Sequence, residues 1–301
     1  MSTNATTKVI IAALIGNAAI SITKFFAAFM TGSSAMLSEG IHSLVDTGNQ
    51  VLLLHGMKQA KKPADEAFPF GHGKEIYFWS FVVAILIFAV GSGVSIYEGI
   101  RHVIQPSQIE NPMINYVVLG LAMVFEGAAW FFAFREFGKV KGKRGYIEAV
   151  QRGKDPSMFV VLFEDSAALL GLLTALLGIW LAQVTGNPVF DGVASILIGV
   201  ILGGTAIWLA IETKGLLIGE GANKNVIASI RLIAESFAEV EKVNELLTMH
   251  MGPEFILVNI SIRFKRGQLT REIEAVIREI DSAIKAEHGF VKRIFVEAEP
   301  A

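Results

Sequence analysis

Long apolar runs alternate with short polar stretches over the first two thirds of the chain, and the last third carries a different rhythm. A bilayer core of about 30 Å takes about 20 helical residues, and stretches of that kind lie at roughly 9–30, 34–57, 76–100, 113–134, 157–184 and 190–212. The second and fifth are the least apolar, as expected of helices that line a polar site inside a bundle. After Gly219–Glu220–Gly221 the pattern changes. Asn223–Val240 and Thr270–His288 read as amphipathic helices, and Val243–Met251, Phe255–Phe264 and Arg293–Ala298 as strands. In the second strand Ile256, Val258, Ile260 and Ile262 alternate with Leu257, Asn259 and Ser261, the period-two signature of a half-buried strand. The fold class predicted is an all-α six-helix transmembrane bundle over 1–218, followed at 219–301 by a small cytoplasmic α+β domain in the order α-β-β-α-β. A domain of that size is marginal alone, so dimerisation is expected to support it.

Composition agrees with a membrane protein. Of 301 residues, 52% are hydrophobic and only 18% charged, with a mean hydropathy of +0.53. The formal net charge of -2, without a basic patch interleaved with aromatics, excludes a nucleic-acid partner. The absence of cysteine excludes disulfides, thiolate metal sites and a cysteine nucleophile. The first apolar run is too long for a cleavable signal and reads as a spanning helix. Basic residues crowd two connections: Lys58, Lys61, Lys62 and Lys74 after the second span, and Arg135, Lys139, Lys141, Lys143, Arg144, Arg152 and Lys154 after the fourth. The opposite side offers Arg101. The positive-inside rule then puts both termini in the cytoplasm, and a prokaryotic inner (plasma) membrane is the expected location.

The candidate chemistry lies within the spans. His42 and Asp46 stand one helical turn apart in the second, and Glu164 and Asp165 stand in the fifth. Ionisable groups at bilayer depth are costly and mark ion paths or binding sites. Imidazole with carboxylates suits a borderline divalent metal such as zinc. Counting about 1.5 Å per residue from the span ends puts Asn17, Asp46 and Asp165 each about 12 Å from the inner edge, and Glu126 at a similar level. Glu39, His42, Asp46, Asn49 and Gln50 share one stripe of the second helix. The bland alternative for Asn17, Asn49 and Gln50 is interhelical hydrogen bonding. Glu39 can pair instead with Lys24, at similar depth. Glu126 is either a proton-carrying or supporting residue, or a protonated buried acid. His102 and His288 read as solvated surface residues. No phosphate-binding loop or hydrolase motif sits in a suitable context, so an ion gradient is the expected energy source and an enzymatic activity is not expected.

The segment Ser38-Glu39-Gly40-Ile41-His42-Ser43-Leu44-Val45-Asp46, the loop Phe70-Gly71-His72-Gly73-Lys74, the six spans and the α-β-β-α-β tail together resemble the cation diffusion facilitator (zinc transporter) family. Phe163-Glu164-Asp165-Ser166-Ala167-Ala168 is similar to the branch that includes a mitochondrial zinc transporter of animals. The resemblance implies a homodimeric metal/proton antiporter exporting divalent metal, with Zn²⁺ as substrate and no prosthetic group; Mn²⁺, Fe²⁺ and Co²⁺ fit the carboxylate-rich set as alternatives. It implies transport ligands at His42, Asp46 and Asp165. The fourth family position falls on Val161, which cannot ligate, and Glu164 is the candidate replacement, although rotated about 100° from Asp165 on a helix. Asp65 and His72 match a peripheral loop site whose other histidine position is Phe68. In the tail, positions often histidine in the family fall on Asn244, Asn259 and Glu297, so metal binding there is expected to be absent or altered. Two other classes stay open: a non-transporting metal sensor or scaffold, and an intramembrane metalloenzyme, which requires a positioned general base and a substrate groove.

Overall fold

A computed structural model describes residues 3–141, 145 and 156–299. The expected basic residues Lys143, Arg144, Arg152 and Lys154 lie outside the described residues. Long helices run over Thr3–Thr31 (α1), Ser34–Ala60 (α2), Glu75–Ile104 (α3), Pro112–Lys141 (α4), Pro156–Thr185 (α5) and Val189–Ile218 (α6). Five of these, all but α2, contain segments long and apolar enough to cross a membrane. α2 has the length but not the apolarity, because Glu39, His42, Asp46, Asn49 and Gln50 interrupt it. In the middle of α3 a π-helical turn at Ile87–Ser92 widens the coil, a local departure that periodicity does not announce.

The chain forms two compact units that do not follow chain order. One holds the described residues up to 56, 78–141 and 156–213; the other joins residues 57–77 to the chain from Lys214 onward. In the first, apolar side chains face outward: Ile22, Phe26 and Phe29 of α1, Val124, Phe125 and Phe132 of α4, and Leu173, Leu177 and Trp180 of α5 are exposed, whereas Lys24, Glu39, His42 and Asn49 are buried. This inversion suits a hydrocarbon surround, which pays nothing to cover leucine and leaves polar groups to find partners inside. α4 packs along α5, and α1 against α4. The α3–α6 contact is closer still. A Cβ on Gly99 would come within 2.7 Å of the Gly192 carbonyl oxygen, and one on Gly192 within 2.9 Å of the Gly99 carbonyl oxygen. Glycine at both positions lets the two backbones touch.

In the second unit, Lys224–Glu235 (α7), Val240–Gly252 (β1), Phe255–Phe264 (β2), Thr270–Glu287 (α8) and Val291–Glu299 (β3) follow in the expected α-β-β-α-β order. The sheet order is β1-β2-β3, with β1 antiparallel and β3 parallel to β2. Ile256, Val258, Ile260 and Ile262 of β2 point into a core closed by Ile230 and Ala234 of α7 and Val276, Ile280 and Ile284 of α8. The loop 57–77 packs on this sheet. A Cβ on Gly73 would lie 2.4 Å from the Met251 carbonyl oxygen, Phe70 meets Phe295 edge-on at 6.4 Å, and the Lys74 ammonium reaches the Met249 sulfur at 3.7 Å. Much of the Phe-Gly-His-Gly-Lys pattern is therefore a packing requirement.

Candidate metal site

Midway along α1, α2, α4 and α5 the helices enclose a cavity of about 230 Å³, lined by Asn17, Ser43, Asp46, Gln50, Glu126, Val161, Glu164 and Asp165 among others. Residues that depth counting placed in one slab thus meet at one cavity wall. His42 stands just behind it, almost fully buried, with Nδ1 3.3 Å from Asp46 Oδ1. That approach lacks hydrogen-bond alignment: both His42 ring nitrogens and Asp46 Oδ1 are buried without a hydrogen-bond partner. Buried polar atoms normally find partners, and orphaned ones mark strain, chemistry or a missing ion. Glu164 turns away from Asp165 by its helical phase, yet it reaches the same wall, where Asn49 Nδ2 donates to its Oε1 at 2.5 Å. Asn49 thus makes the interhelical hydrogen bond that the bland reading allowed, and its partner is a carboxylate of the cavity wall.

A second buried network adjoins the first. The Lys24 ammonium donates to Glu126 Oε1 at 2.8 Å, to Ser43 Oγ at 2.7 Å and to Glu39 Oε2 at 3.1 Å. Its three donors are all used. The expected Lys24–Glu39 pairing is present, but Glu126 joins it, which the sequence reading did not foresee. Glu39 also explains Gly171 in α5, where a Cβ would come within 2.4 Å of its Oε1. Two carboxylates share one ammonium, and the remaining Oε1 of Glu39 and Oε2 of Glu126 have no partner.

Among the described residues, no three His, Asp or Glu side chains converge closely enough to hold a metal as they stand. Val161 sits at the wall where a fourth family ligand is expected, and offers no donor. In the loop, His72 Nε2 and Asp65 Oδ2 lie 2.9 Å apart, and Asp65 Oδ1 accepts the Phe68 N–H at 2.7 Å. The His72 and Phe68 hydrogen bonds hold the Asp65 carboxyl below its ordinary value. Phe68 itself lies against the His72 ring, 4.5 Å between centroids. In the tail, Asn259 Nδ2 donates to Glu297 Oε1 at 3.3 Å and Asn244 Nδ2 to Glu299 Oε2 at 2.6 Å, so these positions form Asn–Glu pairs.

Two histidines depart from expectation. His102 is buried, against the reading of a solvated surface residue, because α3 turns its last turn toward α6 and puts His102 Nε2 3.7 Å from Asp191 Oδ2. His288 is half-buried and bonded to Ser229 Oγ at 2.8 Å. Asp191 was missed altogether. It is fully buried and caps α2 from another helix, accepting from Ser33 Oγ and the Ser34 N–H, each at 2.6 Å. An acid in the first turn of a span is the only signal the sequence carries for it.

The cation efflux transmembrane domain matches residues 10–218. The mitochondrial proton-coupled zinc antiporter of Xenopus laevis is 32% identical over 288 residues, covering 93% of this chain and 52% of that protein. Metal tolerance protein C4 of Arabidopsis thaliana is 29% identical, over 82% of this chain and 54% of its own length. The manganese efflux system protein MneP of Bacillus subtilis is 21% identical over 97% of this chain and 95% of its own. The chain spans about half the length of the first two relatives.

Proposed function

This chain belongs to the cation efflux (cation diffusion facilitator) family of multi-pass membrane proteins, and from that premise we propose that it exports a divalent metal from the cytoplasm in exchange for protons. Zinc is the first substrate, as in the name of the Xenopus relative; Mn²⁺, Fe²⁺ and Co²⁺ are the alternatives, and the Bacillus relative is named for manganese. All six long helices, α2 included, span the bilayer, with both termini on the cytoplasmic side of a prokaryotic plasma membrane. Residues 1–218 carry transport, and 219–301 pair two copies into a homodimer.

The observation that carries the reading is the mid-helix cavity. Four carboxyl groups, Asp46, Glu126, Glu164 and Asp165, line it, and beside it stand His42 nitrogens with nothing to bond. His42, Asp46, Asp165 and Glu164 form the proposed ligand set, with Asn17, Asn49, Glu39 and Glu126 as its supports. Metal entry draws Asp46 toward the His42 ring and pulls Glu164 off Asn49. The same oxygens and nitrogen that take the metal take protons when it leaves, so one occupant excludes the other and the two flows are coupled. Lys24 keeps part of the surplus negative charge neutral throughout. Asp65 and His72 supply only two donors, already bonded to each other, and serve to brace the loop.

Purified protein in liposomes, with an imposed pH gradient and a panel of Zn²⁺, Mn²⁺, Fe²⁺ and Co²⁺, tests this. Uptake should follow the gradient and reverse with it. Uptake indifferent to the gradient overturns the exchange. A sensor that binds metal without moving it is favoured by one observation, Val161 in place of a ligand, and predicts tight binding with no flux for any metal.

A further inference from the structure

At the opposite end of the helices from the basic loops lies a larger cavity, about 620 Å³, lined by Ser33 and Ser34 at the start of α2 and by Glu98, Arg101 and His102 in the last turns of α3. We propose that this cavity holds a second divalent-cation site, with His102 Nε2 and Asp191 Oδ2 as its fixed ligands and Glu98 as a mobile third. Its existence is independent of the exporter reading; its role, receiving metal as it leaves the mid-helix cavity, rests on that reading.

His102 is 7% exposed and its Nε2 has no hydrogen-bond partner, although it lines the cavity. A buried imidazole nitrogen left without a partner beside an aqueous space is an unmet acceptor or donor. The atom nearest it in charge is Asp191 Oδ2, at 3.7 Å. That is too far for a hydrogen bond. Donors each about 2.0–2.2 Å from one ion reach at most roughly 4 Å apart, so a single zinc-sized cation fits between these two at a wide angle.

Asp191 is held for the task. Ser33 Oγ donates to Oδ1 at 2.6 Å, and the Ser34 and Ala35 N–H groups donate to Oδ2 at 2.6 and 3.4 Å. These bonds fix the carboxylate in place, so little ordering is left for the ion to impose. They also fill the start of α2 with a carboxyl group, which removes that helix end as a site for an anionic ligand. Glu98 precedes His102 by one turn on the same face of α3. It lies 3.6 Å from Arg101 Nη1, on a side chain 64% exposed. Glu98 itself is 19% exposed, but at 3.6 Å and with so exposed a guanidinium the pair is weak, so Glu98 can leave Arg101 for a dication. Glu98 is the one acid among the residues lining the cavity, and Asp191 lies buried behind His102 rather than in the lining. Two fixed ligands, one mobile one and open water positions describe a site that fills and empties readily.

The test counts zinc bound to the full chain in detergent by equilibrium dialysis, in an Asp46→Ala background that disables the mid-helix site. That protein should still bind zinc, and adding His102→Gln should remove one equivalent per chain, with loss of an imidazole nitrogen from the zinc X-ray absorption spectrum. Glu98→Gln should weaken the same equivalent about 10-fold while melting like the parent, and it carries the test if His102→Gln fails to fold. Unchanged stoichiometry and affinity in both variants, or no zinc bound by Asp46→Ala at all, overturns the site. Neither result depends on flux, so a failure of the exporter reading is seen separately.

Discussion

Two His–Asp pairs in this chain are built from the same residue types and do different things. His42 and Asp46 are buried, close but unaligned, with both ring nitrogens and a carboxylate oxygen unbonded. His72 and Asp65 lie at the surface of the second unit, where Asp65 is half-exposed and both its oxygens are used, one by His72 and one by the Phe68 N–H. The first pair pays for burial without internal compensation, which an incoming cation supplies. The second is complete, so a metal there has bonds to break and gains only two donors. Residue identity nominates a site; the unfilled bonding capacity decides which nomination has chemistry behind it.

The largest effect expected from breaking this contrast is at Lys24, which neutralises the acids beside the buried pair. Lys24→Met leaves Glu39 and Glu126 buried without a cation. Removing one partner of such a network costs about 3–5 kcal/mol, to be read as a lowered unfolding midpoint in detergent. Adding Glu39→Gln and Glu126→Gln should restore most of the loss. On the other side, Gly73→Ala drives a methyl against the Met251 carbonyl and should cost the second unit about 1–3 kcal/mol. Proteolysis of the loop 57–77 should quicken, with zinc affinity unchanged.

Val161→Asp sharpens the comparison by filling the empty ligand position one turn before Asp165. Zinc binding should tighten about 10-fold, or roughly 1.4 kcal/mol, measured by competition with a chelating dye. The smallest effect lies at the completed pair. Asp65 has its folded-state carboxyl held below the ordinary value by the His72 hydrogen bond and then the Phe68 N–H. Its contribution is therefore fully present above the unfolded value, near pH 4, and disappears as pH falls through the lower folded one. Asp65→Asn should lower the melting temperature slightly at neutral pH, by progressively less as the pH falls through the depressed folded value, and it should leave zinc stoichiometry alone.

Much of this was legible in the chain because helices have a fixed rise and period. Counting residues from span ends brought Asn17, Asp46, Glu126 and Asp165 to one level, and they line one cavity. Alternation in β2 named its buried isoleucines and Val258. What escaped are contacts that depend on how helices rotate against one another. Glu126 meets Lys24 across 102 residues, and neither depth nor period gives its azimuth. His102 at a helix end resembles any solvated histidine until the Gly99–Gly192 approach turns it inward. The joining of loop 57–77 to the tail unit was hidden behind a motif that reads as metal chemistry and is largely packing.

The central claim is that metal and protons exchange on the carboxylates of the mid-helix cavity. Liposomes with a pH-sensitive dye trapped inside, no initial pH gradient and zinc added outside address it directly. Wild-type protein should drive proton movement opposite to zinc, and Asp46→Ala should move neither. Zinc entry without any proton movement, or the same proton movement in Asp46→Ala, would contradict the account.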